Sequence, residues 1–167
     1  MSSKERQTAD AIVVAFNSMD IDAILGFRTP DCQRVILPAS LNIAPQSNSA
    51  YRANLAAMNG IFTSFKLAVH DVIEGTSSTS GESTEDQGAS TVHEKKKIVM
   101  YISARGDTPV GEYKNEYVWK MGFEDGGERV CEWVEYVDVG MARDFYPLLK
   151  AEMIRRAQEG SAPAGKN

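Results

Sequence analysis

The sequence predicts one α+β domain: helices first, then a meander of antiparallel strands, then a closing helix. Three observations lead there. Helical spacing of apolar residues is concentrated toward the two ends of the chain. Two-residue alternation fills three long segments between residues 96 and 139. The length, 167 residues, suits one domain and is tight for two. A single domain over residues 1–160 is therefore expected, with a disordered tail at 161–167.

The elements follow in order. Ala9, Ile12, Val13 and Phe16 fall on one face of an amphipathic helix that Asn17-Ser18 interrupts. Asp20 reads as the N-cap of a short helix carrying Ile21, Ile24 and Leu25, stopped by Pro30. Gln33 to Leu37 is a short strand ended by Pro38. After a loop over 38–48, Asn48 or Ser49 caps a third helix with Tyr51, Leu55 and Met58, which Gly60 stops. Phe62 to Ile73 is a strand with Phe65, Leu67, Val69 and Asp71 on one face and Lys66, Ala68, His70 and Val72 on the other. Residues 75–92 are mostly Gly, Ser, Thr and acidic groups, too poor in apolar surface to order themselves, and read as a flexible hairpin tip. Strands follow at Lys96–Arg105, with a turn at Gly106-Asp107, at Val110–Phe123, with a turn at Glu124–Gly127, and at Arg129–Val139. Met141, Phe145, Leu148, Leu149 and Met153 mark the last helix. A strongly curved sheet with helices across its concave side makes a cone with a pocket in its mouth.

Composition narrows the function. Lys plus Arg number 18 and Asp plus Glu 23, a net charge of −5, so nucleic acid is not an expected partner. Two cysteines far apart, Cys32 and Cys131, make no disulfide scaffold, and two histidines without HExxH give no expectation of a metal. No signal peptide or membrane-length apolar run is visible, so the expectation is a cytoplasmic protein with reduced thiols and no membrane partner. GxGxxG, Walker and GxSxG motifs are missing, which disfavours nucleotide, flavin and serine-hydrolase chemistry. No cofactor is expected.

Alternation picks out the chemistry. Along Val110–Phe123 one face carries Tyr113, Asn115, Tyr117, Trp119, Met121 and Phe123, while the other carries Glu112, Lys114, Glu116, Val118 and Lys120. An aromatic face holding one amide suits a pocket wall. Along Arg129–Val139, Cys131, Trp133, Glu135 and Val137 share a face, and Val130, Val134 and Tyr136 fall on the other. Glu135 thus sits among apolar residues, a setting that suits a carboxyl group for proton transfer. Arg34 is its candidate partner, able to hold a carboxylate through two bonds or to steady an oxyanion. Tyr113 and Tyr117, about 13 Å apart along the strand, are positioned for different parts of one large substrate. His70 and Asp71 are adjacent and face opposite ways, so His70 reads as a structural residue. His93 and the run Glu94 to Lys97 read as solvated.

The chain resembles the NTF2-like superfamily and, within it, the SnoaL-like proteins of fungal secondary metabolism. The resemblance rests on Asp31-Cys32 to Leu37-Pro38, on Gly111 to Tyr117 (GEYKNEY), on Glu124-Asp125-Gly126 and on Glu135 to Asp138 (EYVD), and spans about residues 5–150. It implies a cone-shaped fold with a deep pocket, usually dimeric through the outer sheet face, and enzymes that are cofactor-free isomerases, cyclases, dehydratases or epoxide hydrolases. A semipinacolase of the family uses an arginine, two tyrosines four apart on a strand and a glutamate on the last strand; Arg34, Tyr113, Tyr117 and Glu135 stand in the corresponding places. The resemblance thus implies a cofactor-independent isomerase or cyclase acting on a bulky, largely apolar alkaloid or meroterpenoid intermediate, with these four as catalytic residues. Asn115, Trp119, Trp133, Phe123, Met58 and Phe65 are the expected substrate lining. A dehydratase, an epoxide hydrolase or a non-catalytic binding module of the same fold are the alternatives.

Overall fold

Polar–apolar alternation in the second half of the chain builds one curved sheet, and the apolar stripes of the helices cover it. The computed structural model describes residues 1–78 and 94–161. The elements are α1 (Lys4–Asn17), α2 (Ile21–Gly26), β1 (Arg34–Leu37), a 3-10 turn (Ala39–Leu41), α3 (Asn48–Asn59), β2 (Ser64–Ser78), β3 (Glu94–Thr108), β4 (Gly111–Phe123), β5 (Val130–Val137), α4 (Val139–Asp144) and α5 (Tyr146–Ser161). The five strands lie in the order β1-β5-β4-β3-β2. β1 runs parallel to β5, and every other pairing is antiparallel.

The covered face holds the core. Ile98, Met100, Ile102 and Ala104 of β3, and Tyr113 to Phe123 at alternate positions of β4, are buried against Ala9, Ile12 and Phe16 of α1 and Leu55 of α3. Asn17, at the end of α1, fastens the helix to β2: its Oδ1 accepts from the Leu67 amide at 2.7 Å, and its Nδ2 donates to the Leu67 carbonyl at 3.3 Å. Asp20 caps α2 as expected, accepting from the Ala23 amide at 2.9 Å. No helix among the described residues is long and apolar enough to cross a membrane.

Several expectations need correction. α2 ends at Gly26, before Pro30 can act on it. Ser47, not Asn48 or Ser49, caps α3, accepting from the Ala50 amide at 3.3 Å. β2 carries a bulge between Val69 and Asp71, so alternation reverses there. Val72 pairs with buried Met100 and is half-buried, while Asp71 pairs with Tyr101 and is exposed. β2 also runs on to Ser78, so residues 75–78 are strand; the rest of the expected hairpin tip, with His93, lies outside the described residues, as does the tail from 162.

Gly106-Asp107 is not a turn. β3 continues through it, and the chain reverses at residues 109–110. Gly106 is required for close approach instead: a Cβ there would lie 2.6 Å from the Ser64 carbonyl oxygen and 2.7 Å from the Phe62 ring. A second irregularity, at Gly122/Phe123, pairs Phe123 with Val130 and Gly122 with Glu132. Cys131 is the extra residue, and Val130 is buried rather than on the outer face. The closing helix is two, α4 and α5, broken at Phe145. Pro147 lacks the amide that would continue the ladder and fits only a first turn.

Candidate functional site

β5 turns Trp133, Glu135 and Val137 onto the covered face. Glu135 is 1% exposed and meets three N–H donors. Arg34 Nε donates to Oε1 at 2.8 Å and its Nη2 to Oε2 at 2.7 Å, a planar fork on a planar carboxylate. Trp133 Nε1 also donates to Oε1, at 2.8 Å. The two charged residues are not direct register partners: Arg34 lies opposite Trp133 and Glu135 opposite Ile36.

Gln46 positions Arg34. Its Oε1 accepts from Arg34 Nη1 at 2.8 Å, and the two backbones exchange hydrogen bonds of 2.8 and 2.9 Å. The guanidinium carbon sits 4.5 Å from the centre of the Tyr51 ring of α3, a cation–π contact. Burial pulls the Arg34 pKa down, but Glu135 more than offsets this and the net shift is upward. Burial also raises the Tyr51 phenol, against the lowering effect of Arg34.

β4 supplies the second half. The Tyr113 and Tyr117 hydroxyls hydrogen-bond to each other, although their residues are four apart on the strand. Both side chains lean together across Asn115, so they serve one locus, not two ends of a substrate as their spacing suggested. Asn115 Nδ2 donates to the Tyr113 hydroxyl at 2.9 Å and to the Tyr146 hydroxyl at 3.0 Å, and its Oδ1 accepts from the Asp138 amide at 3.4 Å. Tyr146, half-buried at the start of α5, brings its hydroxyl 3.4 Å from that of Tyr113 and lies nearly parallel to its ring, at 8°. Burial lifts the phenols of Tyr113 and Tyr117 well above the ordinary value. Both therefore keep their protons at neutral pH.

Aromatic rings join the two halves. Trp119 stands with its ring centre 6.2 Å from Tyr117 and 4.9 Å from Trp133, and it pairs with Glu135 across the β4–β5 ladder. Phe16 of α1 closes over it at 5.1 Å. Phe65 packs on the other end, 6.4 Å from Tyr113. The structure thus brings together Arg34, Glu135, Trp133, Trp119, Tyr117, Asn115, Tyr113 and Phe65. Phe123 is buried on the same face, four residues beyond Trp119 and opposite Val130. Met58 is half-buried on the last turn of α3 and stays outside the core cluster. His70 faces outward, its Nε2 2.7 Å from the Ser103 hydroxyl. Among the described residues no group of three His, Cys, Asp or Glu side chains is placed to hold a metal ion.

Tyr146, Gln46 and Arg28 were not singled out by the sequence. Tyr51 was, but only as a helix residue. All four lie on loops or helices, where two-residue alternation carries no signal, and only the packing of α3 and α5 onto the sheet delivers the two tyrosines.

No family model matches the chain. It is 25% identical over 150 residues to monooxygenase AacuP of Aspergillus aculeatus, covering 90% of this chain and 92% of that protein. It is 26% identical over 132 residues to austinoid biosynthesis cluster protein H of Aspergillus calidoustus, covering 78% and 80%. Among solved structures it resembles AusH from Aspergillus nidulans, at TM-score 0.62 and 25% identity over 81% of this chain and 84% of that one. It also resembles the BvnE pinacolase from Penicillium brevicompactum, at TM-score 0.66 and 22% identity over 92% of each. A bacterial NTF2-like protein from Burkholderia pseudomallei matches at TM-score 0.58 and 19% identity, over 92% of this chain and 97% of that one. The chain has an NTF2-like fold, a curved open sheet under N-terminal helices, and its sequence relatives include fungal biosynthesis cluster proteins.

Proposed function

We propose that the chain is a cofactor-independent isomerase or cyclase of fungal natural-product biosynthesis, rearranging a bulky, largely apolar alkaloid or meroterpenoid intermediate by acid–base catalysis. The observation that carries this reading is the pairing, on one covered face, of a carboxylate held by Arg34 with a hydrogen-bonded set of protonated phenols. One half accepts a proton and the other donates one, which is what a mass-conserving rearrangement needs.

A semipinacol 1,2-shift fits the set. Glu135 accepts the proton of a substrate hydroxyl as its carbon becomes a carbonyl. The migrating carbon–carbon bond swings to the neighbouring electron-poor carbon. The oxygen leaving that carbon, which stays bound to the skeleton, takes a proton from the Tyr113–Tyr117 pair. Proton return from Glu135 to the phenols closes the cycle with no net change in composition. Trp119 and Trp133 hold the skeleton so that one face migrates. The likeness to the pinacolase supports this reading.

A second reading has its own support, since relatives such as AacuP carry the name monooxygenase. Comparative mass spectrometry of the source organism's metabolites, with and without the gene, separates them. Loss of the gene is expected to accumulate an isomer of the normal product. An accumulating species one oxygen poorer would favour the monooxygenase. A difference of one water would favour a dehydratase or epoxide hydrolase, and no change in kind would favour a binding module.

A further inference from the structure

Two arginines and one carboxylate are buried side by side, and that leaves one positive charge over. Arg28, in the segment after α2, is 4% exposed. Its Nε donates to Asn48 Oδ1 at 2.7 Å and its Nη2 to the Cys32 carbonyl at 3.3 Å, both neutral acceptors. Among the described residues its Nη1 has no hydrogen-bond partner. Among the described residues no carboxylate lies within ion-pair distance of it, and both oxygens of Glu135 are taken by Arg34. The guanidinium carbon instead sits 5.1 Å from the Tyr51 ring centre and 5.5 Å from that of Trp133. Ring faces attract a cation but do not neutralise it. A buried, unpaired guanidinium is costly, and protein interiors keep one where an anion meets it. A second orphan points the same way: Trp119 Nε1, on the indole 4.9 Å from Trp133, is buried without an acceptor among the described residues.

We propose that Arg28 is the anion-binding residue of this site, and that the substrate carries an acidic oxygen (a carboxylate, an enol or a phenol) which Nη1 of Arg28 receives. This rests on the reading of the covered face as a substrate site and deepens it: the substrate is an apolar skeleton with one acidic end. Arg34 cannot serve that end, because Glu135 already satisfies it. Arg28 fixes the skeleton by the acidic oxygen, and the Arg34–Glu135 pair and the phenols are left free for the proton steps.

The chain's two tryptophans, Trp119 and Trp133, both stand in this site, so their fluorescence reads binding there without any turnover. The probes are 2-hydroxy-1,4-naphthoquinone, an enol ionised at neutral pH, and its methyl ether, which has the same skeleton and no acidic oxygen. The hydroxy compound is expected to quench with an affinity about tenfold or more above the ether's, the scale of a charge-assisted hydrogen bond. Arg28→Gln is expected to erase that preference by weakening the hydroxy compound alone. Arg28→Met serves the same purpose if the glutamine variant does not fold, as judged by circular dichroism. Equal affinities in the unaltered protein, a preference that survives loss of the arginine, or saturable quenching by neither compound would overturn the assignment. Such a result, beside an isomer accumulating in the metabolite comparison, would remove the Arg28 site and leave the isomerase reading standing.

Discussion

Arg34 grips Glu135 across the only parallel strand pair of the described sheet, through bonds of 2.8 and 2.7 Å, although neither residue is the other's register partner. The fork reaches along the strands because Trp133 fills the position opposite Arg34 and donates to the same carboxylate. Removing the cation leaves a buried carboxylate with one donor.

Arg34→Ala is therefore expected to lower stability by about 3–5 kcal/mol, the cost of breaking a buried pair from one side. Replacing both partners, Arg34→Met with Glu135→Leu, is expected to restore most of that loss while leaving no activity. Urea unfolding of the three proteins checks the order. A single variant as stable as the parent would show that the pair is solvated.

Tyr146→Phe tests the outermost phenol. It deletes the acceptor of the 3.0 Å bond from Asn115 but keeps the ring that lies along Tyr113. Turnover is expected to fall about tenfold to a hundredfold, with the melting temperature little changed. Tyr113→Phe and Tyr117→Phe are expected to cost more activity, since both sit at the buried end. Unchanged turnover in Tyr146→Phe would show that Tyr146 does not support the β4 pair through Asn115.

Alkaline pH should unfold the protein. Tyr113 and Tyr117 are held above the ordinary phenol value of 10.0 by burial, so the folded state keeps protons that the unfolded chain gives up. Stability from this source is complete below that value and declines as pH rises through and beyond it. Denaturant midpoints across this range, with absorbance at 295 nm following phenolate, should move together. Tyr113 and Tyr117 ionising like free phenol with no loss of stability would contradict the packing.

The outer face carries an apolar row. Tyr101, Val118 and Tyr136 pair in one row across β3, β4 and β5 and are 40%, 42% and 53% exposed. We propose that a homodimer of the kind the family resemblance implies buries this row, and Val118→Lys is expected to give a monomer in sedimentation while sparing the opposite face. A monomeric parent would remove the proposal.

The aromatic face of β4 and the place of Glu135 were legible because strand alternation is a strict two-residue rule and every polar exception stands out against it, whereas Arg34, on a four-residue strand, was favoured as the partner by the family resemblance. The rule failed where the ladder slips, at Val69/Asp71 and at Gly122/Phe123, and there Asp71, Val72 and Val130 were assigned to the wrong faces. Gly106 looked like a turn residue because glycine has two uses, and only the neighbouring Phe62 ring shows which applies. Tyr146 and Arg28 stayed hidden because a helix and a loop were needed to carry them to the sheet.

The most direct test returns altered genes to the deletion strain. Glu135→Gln keeps the shape of the side chain and removes its charge; Arg34 loses its counter-charge, so the purified variant should fold but melt below the parent. The account predicts that this variant leaves the isomer accumulating as in the deletion, while the unaltered gene restores the normal product. Full restoration of the normal product by Glu135→Gln would contradict proton transfer at Glu135 and with it the acid–base rearrangement.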